Sequence, residues 1–591
     1  MGVPRLFPWV AEKFAHAVTH IDVTQSNQAL LDAQSLYLDN NGDIHGAAQE
    51  VYGYASGKSD TSPYTHFPCT MDECAAVIGR KVFTKIERYV SFFRNLEHIY
   101  ISYDGPAPVA KQAQQRQRRF ISANADADAG KDPLAFNSTF ISPGTEFMQA
   151  FYEDIKYRIH REMNRPGSRW KSLTVVLSPW TVPGEGEHKC MNEIRRIEQE
   201  NIDRPYRHVF VGPDADLIML SLASKVRDIY LFREDQFKDD HVHLVNISAI
   251  GARLAAQMGI EQARIQMPIY RAIESFIFIG LFVGNDFLPK IKMFHHLQDG
   301  LDMAITMIRN QIKVHGANGL LMVNDRFQFD GLESLIGEFS KREHALLTEQ
   351  LTDPRNQPYE DRFINTTLLE HFNPSTQQLD YNSYRSAYYK KFMNDDHRSI
   401  ERICIDYLKT LYWVYIYYIR GVPSWTWLYT YHYAPLMTDL YHVIQHLDDA
   451  QIRYITQFKS VSDRPPMPHE QLLAILPPRS FHLLPNVYRS ALTHAPEYYP
   501  LTFDLDCEGK HKEYQCIPLL PFPDPEFNHR LYQEYRIDHP LNVSRKYDIR
   551  FIHKADYCQW SREKRANILL MDEPNRYLDN DDSVMEVARS K

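Results

Sequence analysis

Residues 98–120 read HIYISYDGPAPVAKQAQQRQRRF. The opening "HIYISYD" has the look of a short buried strand that ends on an acid, Asp104. Glycine and two prolines then break the chain. From 107 to 121 the spacing predicts a helix. At about 100° per residue, Lys111, Gln115, Arg118 and Arg119 fall within an arc of roughly 100°, and Arg116 points away from them. No Asp or Glu four residues away balances these cations. A run of charge is ordinarily a solvated helix face. This one starts seven residues after Asp104, so its base lies near whatever that acid serves. A phosphate held by arginine forks and a lysine is its natural occupant.

The same unit recurs on both sides. "SLYLD" (35–39), "LTVVLS" (173–178), "HVFVG" (208–212) and "DIYLF" (228–232) read as buried strands. Helical stretches at 81–96, 146–162 and 187–199 alternate with them. Alternation of this kind implies an α/β fold, with a mostly parallel central sheet and flanking helices. In such sheets ligands bind beyond the carboxyl ends of the strands. Asp39, Asp104, Glu185, Glu187, Asp214 and Asp216 all stand just past strand ends. Asp286, in "VGNDFLP", follows an apolar helix and precedes a breaker.

Taken singly, each acid is equally a helix cap or a turn residue. Taken together they are harder to explain that way. Two unit charges about 4 Å apart repel by roughly 4 kcal/mol at an effective dielectric of about 20. Seven carboxylates in one crevice therefore need protons or divalent cations. Ligation by oxygen alone suits Mg²⁺ or Mn²⁺ rather than Zn²⁺. Two such ions can activate water and stabilise the leaving oxygen of a phosphodiester. His188 and Cys190, beside the glutamates, read as neighbours and not as ligands.

Composition bounds the rest. The chain has 591 residues, 44% hydrophobic and 24% charged, which is the profile of an ordinary globular protein with room for two or more domains. The net charge of -9 makes non-specific attraction to nucleic-acid backbones weak, so anion capture has to be local. Seven cysteines form no CxxC pair and read as reduced thiols, with neither a disulfide nor a zinc site. The opening MGVPRLFPWVAEKF is not a signal peptide, and Leu6 argues against myristoylation. "SFIFIGLFVG" and "LYWVYIYYI" are about half a membrane span. Beyond about residue 380, Tyr- and Trp-rich helical segments take over, so a boundary is expected between 340 and 380, where "LTDPRNQPYEDR" reads as a linker. "LDNDDS", near the end, reads as a solvated tail.

The motifs, in this order, resemble those of the Xrn-type 5′→3′ exoribonucleases, within the flap-endonuclease and PIN-like nuclease group. "MGVPRLFPW", "LYLDNNGDIH", "YDGPAPVAKQAQQRQRRF", "PGEGEHKCMNEIR", "GPDADLIML" and "FVGNDFLP" are similar to the first conserved region of that family. "YYIRGVPSWTWLYTYHYAPLMTDL", "LLAILPPRSFHLLP" and "FDLDCEGKHKEYQCIPLLPF" resemble the second. The likeness covers about residues 1–525. Asn40 and Asp43 stand where the family has Met and Ile, Thr430 where it has Pro, and Tyr514 where it often has Trp.

The resemblance implies a PIN-like nuclease domain (1–345), a linker (346–380), a second, largely helical region wrapping the active site (381–530) and a C-terminal extension (531–591). It implies that Asp39, Asp104, Glu185, Glu187, Asp214, Asp216 and Asp286 are catalytic and hold two Mg²⁺ or Mn²⁺ ions. Lys111, Gln115, Arg118 and Arg119 would bind a 5′-monophosphate. His45 would stack on the terminal base, with Trp425 or Trp427 on its other face. The implied activity is Mg-dependent degradation of single-stranded RNA from a 5′-monophosphate end to nucleoside 5′-monophosphates. The implied setting is a cytoplasmic monomer, with the nucleus left open and a decapping enzyme as a partner. Two rivals share the residues: a structure-specific flap or gap DNA nuclease, and an inactive RNA-binding scaffold.

Overall fold

The computed structural model describes residues 6–24, 31–54 and 70–535, apart from 202, 205, 236–237, 239, 261–268, 295–296, 324–325, 354–359, 393–399, 459–462 and 511, together with 549–552 and 568–570. Nine strands form one sheet: β1 (Val18–Asp22), β2 (Ser35–Asp39), β3 (His98–Ser102), β4 (Thr174–Ser178), β5 (His208–Val211), β6 (Ile229–Glu234), β7 (His241–Asn246), β8 (Ile549–Ile552) and β9 (Ile568–Leu570). Their order across the sheet is β1-β7-β6-β5-β2-β3-β4-β8-β9. The five central strands, β6 to β4, are parallel, as the alternating pattern predicts. Antiparallel strands close both edges.

The central strands are apolar along their length because both faces are covered. Side chains alternate between those faces. Tyr37, Tyr100, Val176 and Phe210 enter one core; Leu36, Leu38, Ile99, Ile101, Val175 and Val209 enter the other. The first core also takes in Tyr407, Trp413 and Tyr417, so one face of the sheet and the C-terminal helical region share a hydrophobic interior.

The register levels the carboxyl ends. Asp39 lies beside Ser102, Ser102 beside Ser178, and Leu38 beside Val211. Helices leave from this level edge: α1 (Asn41–Tyr52) after β2, α2 (Met71–Ser91) on the return, α3 (Val109–Asp128) after β3, α4 (Glu146–Asn164) on the return, α5 (Gly186–Glu200) after β4 and α6 (Asp216–Ala223) after β5. Helix α7 (Ile269–Gly280) leads to Asp286. Later come α8 (Ile400–Arg420) and α9 (Pro468–Ile475).

Several expectations need correction. The helix expected at 81–96 runs over Met71–Ser91, because Thr70 and Glu73 form a capping box that starts it earlier. Cys507 and Cys516 form a disulfide, against the reading of all cysteines as thiols. A short hairpin pairs Leu505 with Pro518 and Asp506 with Ile517, which brings the next residues inward, the two cysteines, to a Cα separation of 4.4 Å. Cys74, Cys190 and Cys404 are buried thiols outside that disulfide.

The stretch 346–380, expected as a linker, is structured where described. It holds the end of helix Phe329–Thr352 and a two-stranded hairpin, and Leu347, Leu368 and Leu379 lie in the main core. Within 531–591, β8 and β9 extend the central sheet beyond β4; "LDNDDS" lies outside the described residues. Among the described residues, no helix is long and apolar enough to cross a membrane.

Candidate active site

All seven acids meet at the level edge of the sheet. Asp39 ends β2. Asp104, two residues past β3, accepts from Gly186 N at 2.7 Å, where α5 begins. A Cβ on Gly186 would lie 2.4 Å from Asp39 Oδ1, so a larger residue there would displace that carboxylate. Glu185 caps α5, and Glu187 sits in its first turn. Asp216 opens α6, and Asp214 is held two residues before it, its carbonyl accepting from Arg233 at 2.6 Å. Asp286 follows Gly284, whose φ of 89° turns the chain sharply after the apolar helix.

The electrostatics are those of crowded acids. Burial pushes the Asp39 carboxyl up, and Asp104 and Asp214 push it further. Burial and then Asp216 raise Glu187. Burial and then Asp214 bring Asp216 up to about 6. Burial raises Glu185 despite Lys111 beside it. Asp286 differs: burial opposes its ionisation, but Lys111 and Arg118 outweigh burial and hold it well below the usual carboxylate range.

A cation fits this crevice. Glu187, Asp214 and Asp216 each place one ligand oxygen within 4.8 Å of the others. Asp39 Oδ1 and Asp216 Oδ1 are buried and accept no hydrogen bond among the described residues. The donors are all oxygen, which suits Mg²⁺ or Mn²⁺. His188 stacks on Tyr417 at 3.7 Å between ring centroids, and Cys190 lies against Ser102; neither joins the oxygen cluster.

The cationic helix borders the acids directly. α3 turns Gln112, Ala113, Arg116 and Phe120 inward and leaves Lys111, Gln115, Arg118 and Arg119 on the other face. Lys111 Nζ lies 2.5 Å from Glu185 and 2.9 Å from Asp286. Arg118 reaches Asp286 at 3.4 Å. Arg119 donates to Ser142 Oγ at 2.6 Å, while its Nε and Gln115 Oε1 are buried without a partner among the described residues. Burial brings Arg119 down to about 10 in spite of Asp104. His45, in the first turns of α1, is pushed down to about 4 by burial and then by Arg119.

Two family models match the chain. One, described as XRN 5'-3' exonuclease N-terminus, matches residues 1–235; another, Xrn1 helical domain, matches 266–378 and 376–542. The chain belongs to the XRN 5'-3' exonuclease family. It is 28% identical to human 5'-3' exoribonuclease 1 over 91% of this chain and 35% of that protein. It is 25% identical to chicken (Gallus gallus) 5'-3' exoribonuclease 2 over 89% and 69%, and 27% identical to that of Arabidopsis thaliana over 88% and 66%. It thus spans about a third of the human relative and about two thirds of the other two.

Two residues of this XRN chain were not singled out for the site by the sequence. Tyr417 of α8 donates to Glu185 Oε1 at 2.7 Å, so the helical region reaches into the acidic crevice. Arg116 is fully buried. It donates to the carbonyls of Ala474, Tyr498 and Pro521, and its guanidinium centre lies 4.5 Å from the Phe120 and Tyr498 ring centroids. The sequence places Arg116 away from the anion face, but nothing local announces its partners. The two tryptophans separate as well. Trp425 O accepts from Val109 N, at the first residue of α3, at 2.9 Å. Trp427 donates to Thr410 and packs with Lys409, Tyr454 and Phe458. The departures Asn40 and Asp43 bond each other at 2.6 Å, and Lys85 pairs with Asp43 at 2.7 Å.

Proposed function

We propose that this protein is a 5′→3′ exoribonuclease that hydrolyses single-stranded RNA from a 5′-monophosphate end and releases nucleoside 5′-monophosphates. The observation that carries the reading is Lys111, a member of the cationic face that touches two members of the acidic cluster. A phosphate held on that face therefore puts the next phosphodiester near the carboxylates.

Asp39, Asp104, Glu185, Glu187, Asp214, Asp216 and Asp286 would hold two Mg²⁺ or Mn²⁺ ions, which when bound supply positive charge for phosphodiester hydrolysis. Arg118 and Arg119 present forks to the terminal phosphate, Lys111 a point charge and Gln115 an amide. Burial works against charge on Lys111, but Asp286 and Glu185 outweigh it and raise its pKa, so it meets the phosphate as a cation. His45 is neutral near pH 7 and stacks on the terminal base. Trp425 or Trp427 would cover its other face. Stacking is sequence-tolerant and worth about 1–3 kcal/mol per base. A 5′-hydroxyl end would leave the buried Arg119 Nε without an acceptor, a cost of about 1–3 kcal/mol. Enzymes that remove caps would supply the substrate.

One labelled RNA with a 5′-phosphate, a 5′-hydroxyl or a cap, incubated with Mg²⁺ or EDTA, tests this. Mononucleotides from the phosphorylated RNA alone, and only with metal, are expected. Cleavage of flapped duplex DNA in preference to RNA would move the reading to a structure-specific nuclease. RNA binding without turnover would leave a scaffold.

A further inference from the structure

A cluster of lysines lies outside both the acidic crevice and the cationic helix face. Beyond Asp286 the chain folds back on itself: Lys290 Cα lies 3.1 Å from where a Cβ on Gly284 would sit. Lys290 is thus rooted beside the backbone that carries Asp286. Two residues on, Lys292 Nζ stands 5.1 Å from the Phe392 ring centroid and 5.6 Å from that of Tyr433. Those rings are 4.4 Å apart, and Tyr433 donates to Asp506. Asp506 opens the disulfide-closed hairpin, and Lys510 lies in its loop. Lys391, 5.2 Å from the Phe392 centroid, completes the group and pairs with Glu508.

The two acids are already engaged. Glu508 accepts from Thr366, from Thr367 N and from Lys391; Asp506 accepts from Tyr433 and from Glu508 N. Lys292 and Lys510 have no ion-pair partner among the described residues. Lys290 is exposed, and Lys292 and Lys510 are half-buried. Burial and then Lys292 bring Lys290 down to about 8; burial and then Lys292 and Lys290 bring Lys510 down to about 7. Asp506 and Glu508 act the other way on Lys292, and Asp506 on Lys510, so the lysines are in excess over the acids and not unopposed; a local excess of positive charge favours an incoming anion. Lysine, a flexible point charge, suits a phosphate that arrives in varied orientations.

We infer that Lys290, Lys292 and Lys510 form a second phosphate subsite beside the Asp286 loop, separate from the pocket on α3. It takes a phosphate group of a nucleotide, within the RNA chain or on the released monophosphate. The identity of the ligand rests on the nuclease reading above; binding at the site does not require turnover.

The test uses the full chain in EDTA with two probes, a fluorescent 5′-phosphorylated decaadenylate and adenosine 5′-monophosphate. Wild type is compared with Lys292→Gln/Lys510→Gln and with Lys292→Arg/Lys510→Arg. The Gln variant is expected to bind one probe roughly tenfold or more weakly, and the Arg variant to restore it. Weaker RNA binding with a salt slope shallower by about 1.4, for two lost contacts to a single strand, assigns the chain phosphate. Weaker monophosphate binding assigns the released product. The Gln variant should melt at or above the wild-type temperature, because repulsion is relieved. If it does not fold, Lys510→Gln alone carries the same readouts. A folded Gln variant that binds both probes within twofold of wild type overturns the inference. So does a loss that Arg fails to rescue and that comes with a lower Tm, which would mark the lysines as structural. Weakened binding in a protein that never hydrolyses RNA in Mg²⁺ would sink the proposed function and leave the subsite standing.

Discussion

Arg116 and Arg119 lie one turn apart on α3, and both are largely buried, yet their surroundings are opposite. Arg116 spends its donors on three backbone carbonyls and is flanked by aromatic rings. Arg119 makes one hydrogen bond, to Ser142, and keeps a buried Nε without a partner among the described residues. The same contrast separates two acids near the edge of the sheet. Asp43 is paired with Lys85 and bonded by Asn40 and Tyr89, whereas Asp216 keeps a buried oxygen that accepts nothing among the described residues. Buried polar groups are nearly always satisfied. A satisfied one therefore holds the fold, and an unsatisfied one at an accessible crevice awaits a ligand.

The largest expected effect is on the crevice acids. Asp214→Asn with Asp216→Asn should lower hydrolysis on the order of 10³-fold or more, while metal-free protein melts no lower than wild type. Added Mg²⁺ should raise Tm in wild type and not in the variant. Asp43→Asn should do the reverse, costing stability while leaving turnover near normal. Rapid degradation by a folded double variant would break the contrast.

Next, Arg118→Ala with Arg119→Ala should remove the preference for phosphate over hydroxyl ends. At about 1.5–3 kcal/mol for a hydrogen bond to a charged group, the ratio of kcat/KM for the two ends should fall roughly 10–100-fold. An unchanged ratio would place the pocket elsewhere. Arg116→Ala should act on stability instead. Three carbonyls left without a donor, at about 1–3 kcal/mol each, predict a loss of about 3 kcal/mol in urea unfolding. The end preference should persist wherever the variant is folded.

The smallest effect concerns His45. Its folded pKa, about 4, lies below the ordinary histidine value, so the unfolded chain takes up the proton first. Its contribution to stability is present above about pH 6.5 and is lost as pH falls toward 4. His45→Phe should flatten that part of a Tm–pH curve and keep turnover within about threefold, since a ring remains to stack. An identical curve would place His45 in solvent.

What could be read from the sequence follows from how local the signal is. The central strands stand out because burial on both faces makes them continuous apolar runs, and β2, β3 and β5 each carry a site acid within three residues of their ends. β1, VTHID, is a half-exposed edge strand with polar residues among its apolar ones, so no alternation announces it. β8 pairs with β4 across more than 350 residues of chain, beyond any local pattern. Lys111 and Arg119 could be placed on one helix face by angle alone. Tyr417 could not be told from its neighbours in "LYWVYIYYI" until Glu185 was found against its hydroxyl. The Cys507–Cys516 bridge likewise needed the register of its hairpin.

The anchorage of Arg116 has a mechanical consequence. A pull on the outward face of α3 passes through the fastening to Ala474, Tyr498 and Pro521 into α9 and two loop segments of the C-terminal half. The helix then behaves as a bolted beam, only as rigid as those distant attachments.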